Sequence, residues 1–372
     1  MLPQTNSLTF VTTRLAKDNP IPTIQVNPLR TYIRQIFSAT GAPEEEAAIV
    51  ANHLVEANLM GHDSHGIVRT LQYVTQTQNG GIVPGAPLEV IGGDAATAVL
   101  NVNHNFGQVG ATRAMEIAIE RAGEYGVGVV VTRNCGHIGR IGAYGQMAAA
   151  KNMIGIACVN NPGTDGLVAP FGGAKARLGT NPFSVVSPTS NPEQPFVLDF
   201  ATSVAAEGKV RVALNKGVDL PPEYLIDSDG NPTQTPADLY PNESGARGAL
   251  LPFGGTVGYK GYGLAVAIEA LSGALSGSGA AGGENRLGNG VFVLALNIST
   301  FTNQSSFYEI FDGLIDHVTQ EPFREGQEVI TAGEPERRHM DQRLANGIEI
   351  DNQTWQQVQE SGETVGVTPL EA

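Results

Sequence analysis

The sequence predicts an α/β protein built from more than one domain. Three observations predict it. The middle of the chain alternates helix-patterned with strand-patterned segments. The part before it is patterned for helix alone. The length of 372 residues exceeds the roughly 250–300 at which a single core stops growing. The 46 glycines lie between apolar runs, so they mark tight turns and close backbone approaches, not disorder.

Residues 1–25 form a loose N-terminal arm. Residues 27–58 are helical: Leu29, Ile33 and Ile36 share a face, and Pro43-Glu44-Glu45-Glu46 opens a second helix with acids in its first turn. Asn79-Gly80-Gly81 and Pro84-Gly85 end this region, and short strands follow at 88–91 and 96–102. A helix over 107–125 repeats Ala111, Met115, Ala118 and Ala122 at helical spacing. A buried strand at 127–132, a helix over 142–152 and strands at 153–159, 183–187 and 196–198 come next. Residues 203–215 are helical, and the Pro-, Asp-, Asn- and Gly-rich stretch 221–252 is an irregular surface excursion. A long apolar helix spans 260–275, a strand 291–297, and helices 305–320, 334–346 and 354–360 complete the chain.

The formal net charge of -15, from 22 basic and 37 acidic residues, disfavours a broad nucleic-acid footprint and an anionic membrane surface, since both need clustered Lys and Arg. It leaves room for a small anionic substrate gripped by one Arg. Residues 1–20 lack an apolar core of signal-peptide length and no run spans a bilayer, so a cytoplasmic location is expected. The two cysteines, Cys135 and Cys158, form no CxxC pair and read as buried free thiols.

Five segments could carry chemistry. In Gly61 to Arg69 (GHDSHGIVR) and just beyond, His65, Arg69 and Tyr73 are spaced four apart and share one face if the segment is helical. Arg69 could clamp a carboxylate through parallel hydrogen bonds, His65 could pass a proton to a carbonyl oxygen, and Ser64 could hold that oxygen. The competing structural reading makes His62 and Asp63 helix-end caps and Arg69 a solvated charge. A metal site on His62 and His65 lacks a third ligand at helical spacing. The second segment, NCGHIGRIGAY from Asn134, follows a strand, opens a helix and carries His137 as a second acid/base candidate. The third is Gly172-Gly173 with Gly179-Thr180-Asn181-Pro182. The fourth is VLDFATS, where Asp199 ends an apolar strand and needs a partner; pairing with His65 would raise that histidine's pKa, whereas capping the following helix is the plainer role. The fifth is GYKGYG, with Lys260 at a helix start, suited to a cofactor phosphate or ribose hydroxyl.

One literal G-x-G-x-x-G, Gly277 to Gly282, is set aside. A helix precedes it where a dinucleotide fingerprint needs a strand, and no acid ends a second strand about 20 residues later.

Taken in order, GHDSHGIVR, NCGHIGRIGAY, APFGG, LGTNPFSVVSP, VLDFATS, KGV with PPEYLID, GYKGYGLA and GEPE span about residues 27 to 350. This set resembles the malate/L-lactate dehydrogenase family, which also contains sulfolactate, ureidoglycolate and diketogulonate dehydrogenases, and most of all its bacterial hydroxycarboxylate dehydrogenases. The resemblance implies a non-Rossmann nicotinamide-binding fold with a large mixed, largely antiparallel sheet and a helical domain from both termini. On that pattern 26–105 joins 333–372 in the helical domain, 106–190 joins 258–332 in the cofactor-binding sheet domain, and 191–257 is a smaller inserted region. It implies NAD or NADP as cofactor, a small 2-oxo or 2-hydroxy acid as substrate, and a homodimer or higher assembly. His65 would be the proton donor or acceptor, supported by Ser64 and Asp199, with His137 a second catalytic histidine. Arg69 and Tyr73 fall at substrate positions. Asn161, Thr180, Asn181, Asp199, Phe200, Ala201, Lys260, Gly333 and Glu334 fall at cofactor positions. The arm is longer than the family pattern. Alternatives are a cyclic imine carboxylate reductase, a ureidoglycolate-type dehydrogenase, a metal-dependent hydrolase on His62, His65 and His137, and a non-catalytic binding protein.

Overall fold

The computed structural model describes residues 21–161, 166–283 and 288–371; most of the expected N-terminal arm, residues 1–20, lies outside them. In chain order the first elements are β1 (Thr23–Ile24), α1 (Val26–Ala39), α2 (Glu44–Leu59), α3 (Thr70–Gln78), β2 (Glu89–Gly92), β3 (Thr97–Asn101), α4 (Gly107–Tyr125), β4 (Val127–Arg133), α5 (Gly142–Ala149), β5 (Met153–Asn160), β6 (Phe183–Ser187) and β7 (Phe196–Phe200). Then come α6 (Glu207–Lys216), β8 (Leu225–Ile226), β9 (Pro232–Thr233), β10 (Ala249–Leu250), α7 (Tyr259–Ile268), β11 (Gly290–Asn297), α8 (Ile298–Phe301), α9 (Gln304–Thr319), α10 (Glu334–Asn346), β12 (Ile348–Glu349) and α11 (Asn352–Thr364).

The helical part closes on one core. Leu29, Ile33, Ile36 and Phe37 of α1 meet Leu54 and Val55 of α2, Tyr73, Phe106 and, from the far end of the chain, Trp355 and Val358 of α11. The first described segment is stitched to the last part of the chain as well, because β1 pairs antiparallel with β12, Ile24 opposite Ile348.

The main sheet has seven strands in the order β2-β3-β4-β11-β5-β6-β7. Among the described residues of this sheet only β3 and β4 pair in parallel; the sheet is thus mixed and largely antiparallel, as expected. Strand β11 lies at its centre, with Val293 opposite Val130 on one side and Ala157 on the other. Alternation along the strands serves two faces. Val130, Val291 and Val293 pack under Ala111, Ala114, Met115 and Ala118 of α4 and Tyr144 and Ala148 of α5, while Val131, Cys158 and Phe292 face Ile268 of α7. Both cysteines are buried and free.

Several local expectations are corrected. Strands β2, β3 and β7 belong to the large sheet, which therefore extends past the sequence boundaries drawn at 106 and 190. The 221–252 stretch is not purely irregular: β10, β8 and β9 form a small sheet over a core that includes Leu220, Leu225, Leu239 and Leu250. Helix α6 starts at Glu207, not at 203; Ser203 Oγ is spent on the Ala205 carbonyl and Val204 N–H on that of Leu251. The apolar helix 260–275 loosens into a π-helical turn at Glu269–Ala274. That turn leads into Gly277–Gly282, so no strand feeds this glycine run, in keeping with its rejection as a dinucleotide fingerprint. Among the described residues no helix is long and apolar enough to cross a membrane.

Candidate active site

The segment Gly61 to Arg69 is not one helix. Asp63–His65 and Ile67–Arg69 are two 3₁₀ turns split by an extended Gly66. Asn58 at the end of α2 shapes the break: its Nδ2 donates to Asp63 Oδ1 at 2.7 Å and its Oδ1 accepts from Ile67 N–H at 2.8 Å. A Cβ on Gly66 would stand 2.2 Å from that Oδ1, so only glycine fits. Asp63 is held from outside by both terminal nitrogens of Arg343, at 2.7 and 3.1 Å. His65, Arg69 and Tyr73 thus converge through a broken chain path, not along one helix face.

Arg69 Nε donates to the Ser64 carbonyl at 2.7 Å and its Nη1 to Gln72 Oε1 at 3.0 Å. Among the described residues Nη2 has no bond. Ser64 Oγ lies 3.0 Å from His65 Nδ1, so its hydroxyl fixes the imidazole directly. Tyr73 is fully buried, and its hydroxyl lies 2.6 Å from His137 Nδ1. The His65 and His137 rings stack with centroids 5.6 Å apart and 15° between planes. Four of the expected residues and the arginine therefore form one cluster: Ser64, His65, Tyr73, His137 and Arg69.

Electrostatics reverse one expectation. Burial, then the nearby charges of Arg69, His62 and Arg140, push the His65 pKa down to about 3. Burial, Arg69, His65 and His53 push His137 well below its usual value. Both rings are neutral near pH 7, which removes the repulsion that two stacked imidazolium ions would suffer.

Asp199 does not carry the expected bond to His65. Its Oδ2 accepts the Gly142 N–H at 2.7 Å, fixing the loop that delivers His137. Burial raises its pKa, against the pull of Arg140, the Gly142 bond and His62. The reason is topological: Asp199 lies one residue before the end of the edge strand β7, which packs beside α5, and Gly142 opens that helix with a free N–H. Arg140 is buried between Glu56 (3.2 Å) and Gln146 (2.6 Å), and its backbone N–H donates to His53 Nε2 at 3.0 Å. His62 pairs with Glu336 at 3.4 Å. Among the described residues no group of three or more His, Cys, Asp or Glu is arranged to hold a metal ion.

The expected cofactor residues are spread over both faces of the sheet: Asn181 lies against α7, whereas Gly333 lies against Val197, which packs with Ala149 of α5. Asn181 is fully buried, with positive φ; its Nδ2 donates to Glu269 Oε1 at 2.8 Å and to the Ala265 carbonyl of α7 at 3.2 Å, and its Oδ1 accepts the Asn161 N–H at 3.3 Å. It shapes the turn more than it offers a free side chain. The Thr180 carbonyl takes the Thr202 N–H and hydroxyl at 2.9 and 3.0 Å. Phe200 meets Phe253 edge-on at 5.5 Å. Ala201 follows β7, and Gly333 caps α10 with its place for a Cβ 3.1 Å from that of Val197 on β7. Glu334 is committed to Arg337 and Arg338. Lys260 stands exposed at the start of α7, with no described bond to either cluster.

Sequence reasoning missed Gln108, whose Nε2 donates to the Tyr73 hydroxyl at 2.8 Å. A signal existed: Gln108 lies on the stripe of Ala111, Met115 and Ala118 in α4, and a polar residue on a buried stripe requires a partner. It also left Arg140 and His53 without roles; Arg140 stood inside a motif already singled out.

Comparison with known proteins agrees with this architecture. The family model for malate/L-lactate dehydrogenase matches residues 24–359. The chain is 38% identical over 345 residues to L-sulfolactate dehydrogenase of Methanocaldococcus jannaschii, covering 91% of this chain and 96% of that one. It is 35% identical over 344 residues to hydroxycarboxylate dehydrogenase B of Escherichia coli K12, covering 91% and 93%. The solved malate dehydrogenase of Pyrococcus horikoshii superposes with a TM-score of 0.83 at 32% identity, covering 96% of this chain and all of that one. The non-Rossmann sheet, the paired histidines and these likenesses lead to one assignment: this chain belongs to the malate/L-lactate dehydrogenase family.

Proposed function

We propose that the protein is an NAD- or NADP-dependent oxidoreductase that reversibly reduces a small 2-oxo acid to the 2-hydroxy acid. The observation that carries this reading is the stacked His65–His137 pair, each ring tied at Nδ1 by a hydroxyl, beside an arginine with an uncommitted Nη2. Arg69 binds the substrate carboxylate. This places the 2-carbonyl next to two imidazole Nε2 atoms to which no described protein group bonds. In the oxidising direction neutral His65 accepts the hydroxyl proton; in the reducing direction His65 returns it to the carbonyl oxygen. After burial, Arg69 is the largest influence holding both histidines down. A carboxylate docked on Arg69 offsets that charge, so substrate binding itself raises the proton affinity of His65. Asp199 supports the reaction from a distance by holding the Gly142 amide and hence the His137 loop.

A nicotinamide supplies the hydride in reduction and takes it in oxidation. The residues present fit such a group. Lys260 is exposed with no described ion pair, and α7 runs from it to Ala265, whose carbonyl touches Asn181, about 8 Å along the helix axis. Phe200 lies beside the same helix start through Phe253. Lys260 would neutralise a phosphate, and the turn at Thr180 and Asn181 would seat the cofactor near β7. We further propose a homodimer or higher homo-oligomer, supported by Ile310, Leu314 and Val318, which expose an apolar stripe along α9.

The test is loss of nicotinamide absorbance with a panel of 2-oxo acids (pyruvate-like, oxaloacetate-like, sulfonated and aryl), each with NADH and NADPH, and with a cyclic imine carboxylate in parallel. Turnover of a 2-oxo acid is expected. Turnover of the imine alone, or none at all, contradicts the reading.

A further inference from the structure

Gln108 lies in the first turn of α4, 1% exposed, and the proposed chemistry leaves it without a task. That turn presses on the histidine loop: a Cβ on Gly107 would stand 2.3 Å from the His137 carbonyl oxygen. Gln108 Nε2 donates to Tyr73 Oη at 2.8 Å, and Tyr73 Oη lies 2.6 Å from His137 Nδ1. Gln108 Oε1 is buried with no hydrogen-bond partner.

A phenol has one hydrogen to give. With Gln108 donating to its oxygen, Tyr73 directs that hydrogen to its other neighbour, His137 Nδ1. Burial raises the Tyr73 pKa to about 12, so the phenol keeps the hydrogen throughout the neutral range. Gln108 is placed with Nε2 toward the phenol; the opposite amide orientation would make Tyr73 donate to Oε1 and His137 Nδ1 donate to Tyr73, so the two orientations give opposite His137 tautomers. A neutral imidazole that accepts at Nδ1 carries its proton on Nε2.

We infer that Gln108 is a positioning residue that, through Tyr73, locks His137 in the Nε2–H tautomer. This rests on the proposed reaction for its consequence. His137 then serves as a neutral hydrogen-bond donor to the substrate oxygen, stabilising charge as it develops there. His65, whose Nδ1 faces a Ser64 hydroxyl able to donate or accept, is left as the ring that exchanges the proton. The stacked pair thereby divides into a fixed donor and a proton carrier.

The experiment is long-range proton–nitrogen NMR on the full chain with ¹⁵N-labelled histidine near neutral pH, His137 being assigned by its loss in His137→Gln. The wild type is expected to show His137 protonated at Nε2. Gln108→Met, which keeps the volume but not the donor, is expected to give a mixture of tautomers with the fold intact by circular dichroism. The wild-type spectrum needs no variant to fold: His137 protonated at Nδ1 overturns the inference outright, as does an unchanged Nε2–H tautomer in folded Gln108→Met. In turnover, Gln108→Met is expected to lose about 10- to 100-fold in kcat with cofactor KM unchanged; scrambled tautomers with full kcat overturn the assigned role. If the wild type reduces no 2-oxo acid, the proposed function fails, while the spectra still decide the tautomer lock.

Discussion

His65 and His137 lie face to face, 5.6 Å between ring centroids, although one sits in a 3₁₀ turn after α2 and the other in the loop after β4. With the bonds of Arg140 to His53 and Glu56 and of Gln108 to Tyr73, the stack ties the helical core to the sheet. It also favours the neutral state, because two half-buried rings so close repel if both are charged.

Stability should therefore fall in mild acid. The unfolded chain's histidines titrate near ~6.5, whereas burial, with charged neighbours, holds folded His53 and His65 at about 3. Between those values the unfolded state binds more protons, so stability is full above the unfolded pKa and is lost as pH falls toward the folded one. Each such histidine removes up to roughly 2 kcal/mol between about pH 7 and pH 5. Urea unfolding at the two pH values should show the drop, and His65→Asn should make it smaller. An equal drop in that variant would contradict the assignment.

Arg69→Lys should retain the fold but weaken substrate binding. Lysine cannot hold the Ser64 carbonyl and Gln72 while presenting a second nitrogen to a carboxylate. Losing one charge-assisted bond of about 1.5–3 kcal/mol should raise the KM for the 2-oxo acid about 10- to 100-fold. The KM for the nicotinamide should not move. An unchanged substrate KM would remove Arg69 from the carboxylate site.

Gly66→Ala should destabilise the protein by about 2–4 kcal/mol, since its methyl group forces Asn58 off both of its bonds in a buried site. Gly123→Ala provides the contrast. It lies exposed within α4 with nothing within 4 Å, so alanine should add about 0.5–1 kcal/mol. Thermal melts of the two variants should move in opposite directions, and a neutral Gly66→Ala would contradict the role given to Asn58.

Much of this was legible in the sequence because period and motif are local. The face of Leu29, Ile33 and Ile36, the Ala stripe of α4 and the buried 127–132 strand all carry their own signal. The motif around Ser64, His65 and Arg69 was legible as chemistry, but its path was not: the break at Gly66 depends on Asn58, a contact that spacing does not encode. The partner of Asp199 was misjudged for the same reason. Strand order places β7 at a sheet edge beside the Gly142 amide, and no pattern within β7 announces that neighbour. The small sheet of 221–252 was hidden by its two-residue strands, too short to show alternation.

The role of His65 as proton carrier is tested by comparing kcat of the wild type and His65→Ala on the fastest 2-oxo acid, with nicotinamide affinity followed by fluorescence. A fall of about 10²- to 10⁴-fold in kcat with the nicotinamide Kd unchanged is expected. Turnover equal to that of the wild type would contradict it.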